Sequence, residues 1–332
     1  MRLALALLAA VLALMGCATP TPPAPAPRDT GPVLARDRDF VIVRAQKGDN
    51  LQSLAQDYLG DKQKAWWIAE FNGTDQVRPG EDVVIPARPP NPLGVYANGL
   101  QTIPVLCYHR FGNNRGKLTV TPAAFEAQME YLARNGYQVV PMSRLTGFLE
   151  GTEPLPRKAV VITIDDGYRS TFEIAYPILK KYGLPATVYL YTDFVGAADA
   201  MTWAQMQDML RSGLIEIQPH SKTHSNLTFR LAGESDAKYR ERIRREVEVP
   251  IGAIQERLAS ATTSYAYPYG DVNEIVTDQL AHNGVRLGVT VTPGGNPFYS
   301  SPLMLRRTMV FGNEDLEAFK SKLATFTRTA PR

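Results

Sequence analysis

Cysteine and histidine are scarce in this 332-residue chain, which has two of the first and four of the second. Two cysteines, Cys17 and Cys107, cannot build a disulfide framework, so the fold must rest on an apolar core. Charge of one sign is lacking as well. A net charge of +3, with basic residues scattered, is too small to argue for nucleic acid as a partner. The one basic cluster, Arg240, Arg242, Arg244 and Arg245, alternates with glutamates and reads as a solvated helix face. No apolar run reaches the roughly 20 residues that span a bilayer. No GxGxxG or phosphate-loop pattern follows any strand-like run, which lowers the nucleotide-binding version of an α/β sheet. What is present is an ordinary globular composition, 44% apolar and 21% charged.

The chain opens on MRLALALLAAVLALMGC, one positive residue and then an apolar core through Met15. That pattern reads as a secretory signal over 1–16. Leu14-Met15-Gly16-Cys17 resembles the lipobox of bacterial lipoproteins, which implies cleavage before Cys17 and lipidation of that residue. Acyl chains hold a protein to a membrane without spanning it. The expectation is an extracytoplasmic, lipid-anchored protein, facing the periplasm or the cell surface. Residues 17–39, proline-rich at the start, form a tether.

Residues 40–87 read as a small βααβ unit. A strand-like run covers Phe40 to Val43. A helix starts near Asp49 with Leu51, Leu54, Ala55 and Tyr58 at helical spacing, and a second carries Trp66, Ile68, Ala69 and Phe71 up to Asn72-Gly73. Pro79-Gly80 turns the chain into a strand at Val83 to Ile85. Adjacent helical residues diverge, so one of Trp66 and Trp67 is expected to be buried. Lys47-Gly48-Asp49-x-Leu51, Leu54-Ala55, Asn72, Pro79-Gly80 and Val84-Ile85-Pro86 together resemble the lysin motif. The resemblance implies binding to N-acetylglucosamine-containing glycans such as peptidoglycan.

A Pro/Gly linker is expected over 88–99. From 100 to 327, strand-length apolar runs at 103–108, 138–141, 159–165, 186–191, 214–218, 264–267, 286–291 and 304–310 alternate with helix-length stretches at 122–135, 168–182, 202–212, 236–259, 272–283 and 313–327. Alternation of this kind argues for an α/β fold with a parallel sheet. The length, about 230 residues, suits a closed β/α barrel, and periodicity does not separate it from an open doubly wound sheet.

In parallel β/α folds the chemistry collects at the carboxyl ends of strands. Those ends carry His109, Asp165-Asp166-Gly167, His220 to His224, and Tyr267-Pro268-Tyr269-Gly270. His220 and His224, spaced i and i+4, suit a divalent metal, and one Asp with two His leaves a position open for water. Taken alone, Asp-Asp-Gly is a turn that caps the helix from Tyr168. Beside a cation, both carboxylates stay ionised, and the second is placed to take a proton from the attacking water. His282, near a helix end, reads as structural.

Thr163-Ile164-Asp165-Asp166-Gly167 and His220-Ser221-Lys222-Thr223-His224 resemble the first two motifs of the polysaccharide deacetylase family. The resemblance covers about 100–325. It implies a deformed, incomplete (β/α) barrel after the lysin-motif unit, Asp165 as base, and Asp166, His220 and His224 as ligands of zinc, with cobalt or nickel possible. The Tyr269 N–H would form the oxyanion hole. Two features depart from the family pattern. Ala266 stands where an arginine that orients the base would fall, and no histidine lies beyond His282 to act as acid. Both departures, with Tyr108-His109-Arg110-Phe111, look like the branch that deacetylates poly-N-acetylglucosamine during export, which makes His109 the acid. Arg306 or Arg307 is the candidate replacement for the missing arginine, and Trp203, with Pro268 and Tyr269, is a candidate substrate contact. The expected activity is metal-dependent de-N-acetylation of peptidoglycan or exported poly-N-acetylglucosamine. The alternatives are a non-catalytic peptidoglycan-binding lipoprotein and a metal-dependent peptidoglycan amidase.

Overall fold

The computed structural model of the protein describes residues 31–114 and 116–328, which divide into two compact units between Ile85 and Pro86. The signal segment 1–16, Cys17 and most of the 17–39 tether lie outside the described residues. Among the described residues no helix is long and apolar enough to cross a membrane.

In the first unit a three-stranded sheet, ordered Val33–Arg36, Phe40–Arg44, Asp82–Pro86, packs with helices Leu51–Leu59 and Ala65–Asn72. The Asn50 side chain caps the first helix by accepting from the Ser53 N–H, which satisfies one of its orphan donors. Asn72 ties the end of the second helix to the sheet. Its Nδ2 donates to the Ile68 and Val84 carbonyls, and its Oδ1 accepts from the Val84 N–H at 3.0 Å. Val43, Leu54, Ala55, Ile68, Val83 and Ile85 form the core. Two expectations change here. Val33–Arg36, placed in the tether, pairs antiparallel with the Phe40–Arg44 strand. Trp66 and Trp67 are both only half-buried, their rings edge to face at 6.1 Å, so neither serves as the core anchor; Ala65 and Ile68 do.

The second unit is built on parallel strands. Ile215–Pro219, Ala186–Leu190, Ala159–Ile164 and Ile103–Tyr108 are hydrogen-bonded in that order, and Thr308–Met309 pairs parallel with Ile103–Tyr108 on its far side. Ser264–Ala266 pairs with Leu287–Val289, and Val289 bridges to Leu305, just upstream of Thr308. One seam of this circuit is closed by a side chain. Gln218 Oε1 accepts from the Thr263 and Ser264 N–H groups, and its Nε2 donates to the Ala261 carbonyl. The result is an α/β barrel with an incomplete wall.

Both the Ile103–Tyr108 and Ala159–Ile164 strands are buried along their whole length, which is why they read as unbroken apolar runs. Successive residues still face opposite ways. Leu106, Tyr108, Val160, Ile162, Val188 and Ile217 meet the helices through Phe125, Met129, Leu179 and Met206. Val105, Val161, Tyr189, Ala266, Val289 and Leu305 face the interior.

Three expected boundaries shift. Val95–Tyr96 and Gly99–Gln101, at the end of the linker, form a hairpin that pairs with Phe326–Arg328. That pairing takes the end of the 313–327 helix, which shortens to Leu316–Ser321. A short helix, Arg144–Leu149, lies where none was expected.

Candidate active site

Four interior-facing rows end at one place. Val105–Cys107–His109, Val161–Thr163–Asp165, Gln218–His220 and Leu305–Arg307 each advance by two residues toward the carboxyl ends of their strands. The Asp165 N–H still belongs to the ladder, bonded to the Tyr108 carbonyl at 2.8 Å. One residue later the strand breaks: Asp166 has φ of 74° and Gly167 of 78°. A Cβ at Gly167 would lie 3.0 Å from the Leu190 Cβ, so only glycine fits this left-handed turn. The break swings Asp166 toward His220 and His224, although strand alternation would send it outward.

Asp165 is buried and held at both oxygens by Arg307. Nη1 donates to Oδ1 and Nη2 to Oδ2, each at 2.7 Å. Arg307 is itself fully buried, with Nε on the Thr290 carbonyl and Nη1 also on Thr163 Oγ1. A bidentate pair fixes the carboxylate in a plane. Burial alone would raise the Asp165 carboxyl, but Arg307 and then His220 outweigh it and hold the group well below the usual carboxylate range. Asp165 is therefore ionised, with Oδ2 3.8 Å from His220 Nε2 and 3.5 Å from Cys107 Sγ.

Asp166, His220 and His224 bring one donor atom each to within 4.8 Å of one another. Asp166 Oδ1 lies 3.3 Å from His224 Nε2 and 3.7 Å from His220 Nε2, is buried, and has no hydrogen-bond partner. An orphaned carboxylate oxygen between two imidazole nitrogens fits a cation. His220 Nδ1 meets the Ala266 carbonyl at 2.8 Å, which leaves Nε2 for the cluster, as a ligating histidine requires. Burial depresses the His220 imidazole pKa, so it favours the neutral form that binds metal. The Asp166 carboxyl is likewise held low, His224 and His220 outweighing the cost of burial. A second group, Cys107, His109 and Asp165, is equally close. It suits a cation less well, because Arg307 occupies Asp165 and burial pushes the Cys107 thiol well above its ordinary value.

His109 follows the Ile103–Tyr108 strand, half-buried, with its Nδ1 buried and without a hydrogen-bond partner. Tyr269, after the buried Pro268, is exposed and carries φ of 63°. Its ring stands 4.9 Å from that of His224, and His224 lies 5.1 Å from Tyr191, which stacks on Phe194 at 5.0 Å. These rings give the cluster an aromatic flank. Among the described residues five non-glycine residues have positive φ, and four of them, Asp166, Ser221, His224 and Tyr269, lie here. Each costs about 1–3 kcal/mol, strain that clusters at functional sites.

The structure thus brings Asp165, Asp166, His109, His220, His224 and Tyr269 together. Trp203 opens a helix capped by Thr202 and packs half-buried against the sheet–helix core, two residues after Met201, whose N–H donates to the Gly167 carbonyl at 3.0 Å. Of the two arginines weighed, Arg307 reaches Asp165, whereas Arg306 is exposed and bonds the Pro293 carbonyl. His282 Nδ1 bonds the Asp278 carbonyl on its own helix. Tyr191 and Phe194 went unread, although the strand-end rule applied to 186–191 would have found the first. Glu246, which grips the loop between the two histidines, gave no local signal.

Residues 152–288 match the sequence model of the family described as Polysaccharide deacetylase. The protein YxkH of Bacillus subtilis is 31% identical over 192 residues, 58% of this chain and 65% of that one. The poly-β-1,6-N-acetyl-D-glucosamine N-deacetylase of Escherichia coli K12 is 26% identical over 252 residues, 65% of this chain and 37% of that one. This chain therefore spans less than two thirds of the length of either relative. The Streptococcus pyogenes deacetylase PplD, solved in complex with acetate, superposes with a TM-score of 0.60 at 26% identity, over 67% of this chain and 98% of that one.

Proposed function

We propose, from a segment at 152–288 that belongs to the polysaccharide deacetylase family, that this protein removes acetyl groups from N-acetylglucosamine-containing polysaccharide at the cell envelope. The observation that carries the reading is the Asp166–His220–His224 cluster, with its orphaned Asp166 Oδ1, beside an Arg307-clamped Asp165. Those three residues would hold a divalent cation, zinc by donor type with cobalt or nickel possible. Such a cation, when bound, supplies Lewis-acid polarisation of the acetyl carbonyl and acidifies water.

The chain's own residues divide the remaining work. Asp165 accepts a proton from the attacking water as its oxygen bonds to the acetyl carbon. Held far below neutrality, this carboxylate is a weak base, so its part is orientation as much as proton affinity. The Tyr269 N–H stabilises the oxyanion, a contribution of about 3 kcal/mol for one such donor. His109 gives its proton to the amine nitrogen as the C–N bond breaks. Acetate and a glucosamine unit leave, and the proton on Asp165 returns the site to its starting state through solvent. The rings of Tyr191 and Tyr269 offer apolar faces to a sugar.

The order of elements in 40–87 and the lysin-motif residues support a glycan-binding role for the first unit, with peptidoglycan as its ligand. The lipobox-like Leu14–Cys17 supports lipid attachment at Cys17 and an extracytoplasmic place on a bacterial membrane. Residues 33–332 are expected to release acetate from N-acetylglucosamine oligomers, and a chelator to stop it. Asp165→Asn and His109→Ala should each lower kcat by about 10²–10⁴-fold. Undiminished turnover in either variant removes that residue from its role, and release of free peptide from peptidoglycan in place of acetate would replace the reading with an amidase.

A further inference from the structure

The loop His220–His224 presents two cation-binding imidazoles, yet it belongs to no helix or strand beyond Pro219. Its backbone groups must be satisfied from elsewhere. On one side the segment after Leu190 serves its carbonyls: Thr192 N–H donates to Ser221 O at 3.3 Å and Asp193 N–H to Lys222 O at 3.0 Å. His220 N–H in turn donates to Leu190 O at 2.7 Å. Within the loop, His224 N–H donates to Ser221 Oγ. The two remaining central donors go to one side chain. Glu246, from the middle of helix Asp236–Leu258, accepts the Lys222 and Thr223 N–H groups at Oε2, each at 3.0 Å, and Thr223 Oγ1–H at Oε1 at 2.8 Å. Glu246 is 5% exposed.

We propose that Glu246 is the positioning residue of the metal site: by gripping both central N–H groups it holds Ser221 and His224 in their left-handed conformations and so sets His224 Nε2 opposite Asp166. This rests on reading Asp166, His220 and His224 as ligands. The strain argues for it. Ser221 at φ of 79° and His224 at φ of 60° would relax to extended backbone if the loop were free. A relaxed His224 would leave a two-ligand site, whereas His220 would stay in place through Ala266. Glu246 touches no donor atom of the cluster and acts only through the loop, as an outer partner does.

The geometry predicts different outcomes for two substitutions. Glu246→Gln keeps an oxygen that can take both N–H groups, and its NH₂ can donate to Thr223 Oγ1. Glu246→Ala keeps nothing, and Thr223→Val removes only the hydroxyl bond. Zinc affinity of residues 31–332 is measured by competition with a chromogenic chelator, alongside thermal melting of the metal-free proteins. Glu246→Ala should lose about 10–100-fold in zinc affinity, with Glu246→Gln and Thr223→Val within about threefold of wild type. Glu246→Ala protein that folds and keeps wild-type zinc affinity overturns the proposal. So does an equal loss in Glu246→Gln, because the carboxamide preserves the grip. A lowered apo melting temperature with unchanged affinity would show a structural role only, and overturns it as well. A wild-type protein that binds no zinc would overturn the ligand reading itself, an outcome distinct from the other three.

Discussion

Arg307 decides whether Asp165 exists as a carboxylate inside the barrel. Both groups are essentially without solvent contact, and each satisfies the other. Removing one member of such a pair leaves an uncompensated buried charge, at a cost of about 3–5 kcal/mol. Arg307→Met should therefore lose stability by about that amount, measured by denaturant titration with a chelator present, and, if Asp165 is the base as proposed, kcat by about 100-fold through its misplacement. Arg306→Met, which removes an exposed side chain, should change neither much. The pH dependence separates this from a packing defect. In the wild type the folded pKa of Asp165 is depressed. The pair's stabilisation is thus fully present above the unfolded value of about 3.9 and is lost only as pH falls through the lower folded value. In Arg307→Met, burial, which raises the Asp165 carboxyl, is opposed only by His220 and His109, and the bidentate partner that outweighed it is gone. The variant then gains stability as pH falls, so its deficit against wild type should be smaller at pH 5 than at pH 8. A deficit independent of pH would mean that Arg307 contributes volume and not charge.

At the level of elements, the weak point of the barrel is the seam between Ile215–Pro219 and Ser264–Ala266, where Gln218 stands in for a ladder. Gln218→Leu strips two N–H groups and a carbonyl of their partner; the buried Ser264 N–H costs about 1–3 kcal/mol when left unsatisfied, while the Thr263 N–H and the carbonyl of exposed Ala261 can turn to water and cost less. Ala266, on the far side of the seam, holds His220 Nδ1. The substitution should consequently weaken both the fold and zinc affinity. Loss of stability with intact zinc affinity would show that His220 is placed without the seam. The same region marks where sequence reading ends. The strands at 103–108 and 159–164 were legible because both faces are buried and the runs are unbroken, and the ends of those strands led to His109 and Asp165. The seam was not legible, because one glutamine replaces a backbone pairing 43 to 46 residues away and leaves no periodic trace. Nor were the strands at 95–101 and 326–328, each too short to show alternation and paired across more than 200 residues. Arg307 showed only as one of two adjacent arginines. Its step of two from Leu305 carries the distinction, and that step has meaning only once the strand's inward face is known.

For the whole molecule, the chemistry and the proposed anchoring reside in separate units. Every residue brought together at the candidate site lies between His109 and Arg307, in the unit that begins at Pro86 and has its own buried clusters. The first unit has an independent core around Leu54 and Ile68. Residues 86–332 should therefore fold without it and process short, soluble N-acetylglucosamine oligomers with kcat/KM close to that of the longer chain. A polymer offers both units a binding site at once. If residues 40–87 bind glycan, covalent linkage raises the effective concentration of substrate at the second unit, a gain that reaches 10²–10⁴-fold in favourable geometries. Acetate release from insoluble peptidoglycan at low enzyme concentration should then fall by about tenfold or more on truncation, while turnover of the oligomer does not. Adding the separate 31–85 fragment back should not restore it, since the benefit comes from the link. Equal losses on both substrates would point to a folding dependence of the second unit on the first. Equal retention on both would remove the proposed glycan-anchoring role from the first unit and leave the proposed deacetylase reading of the second standing.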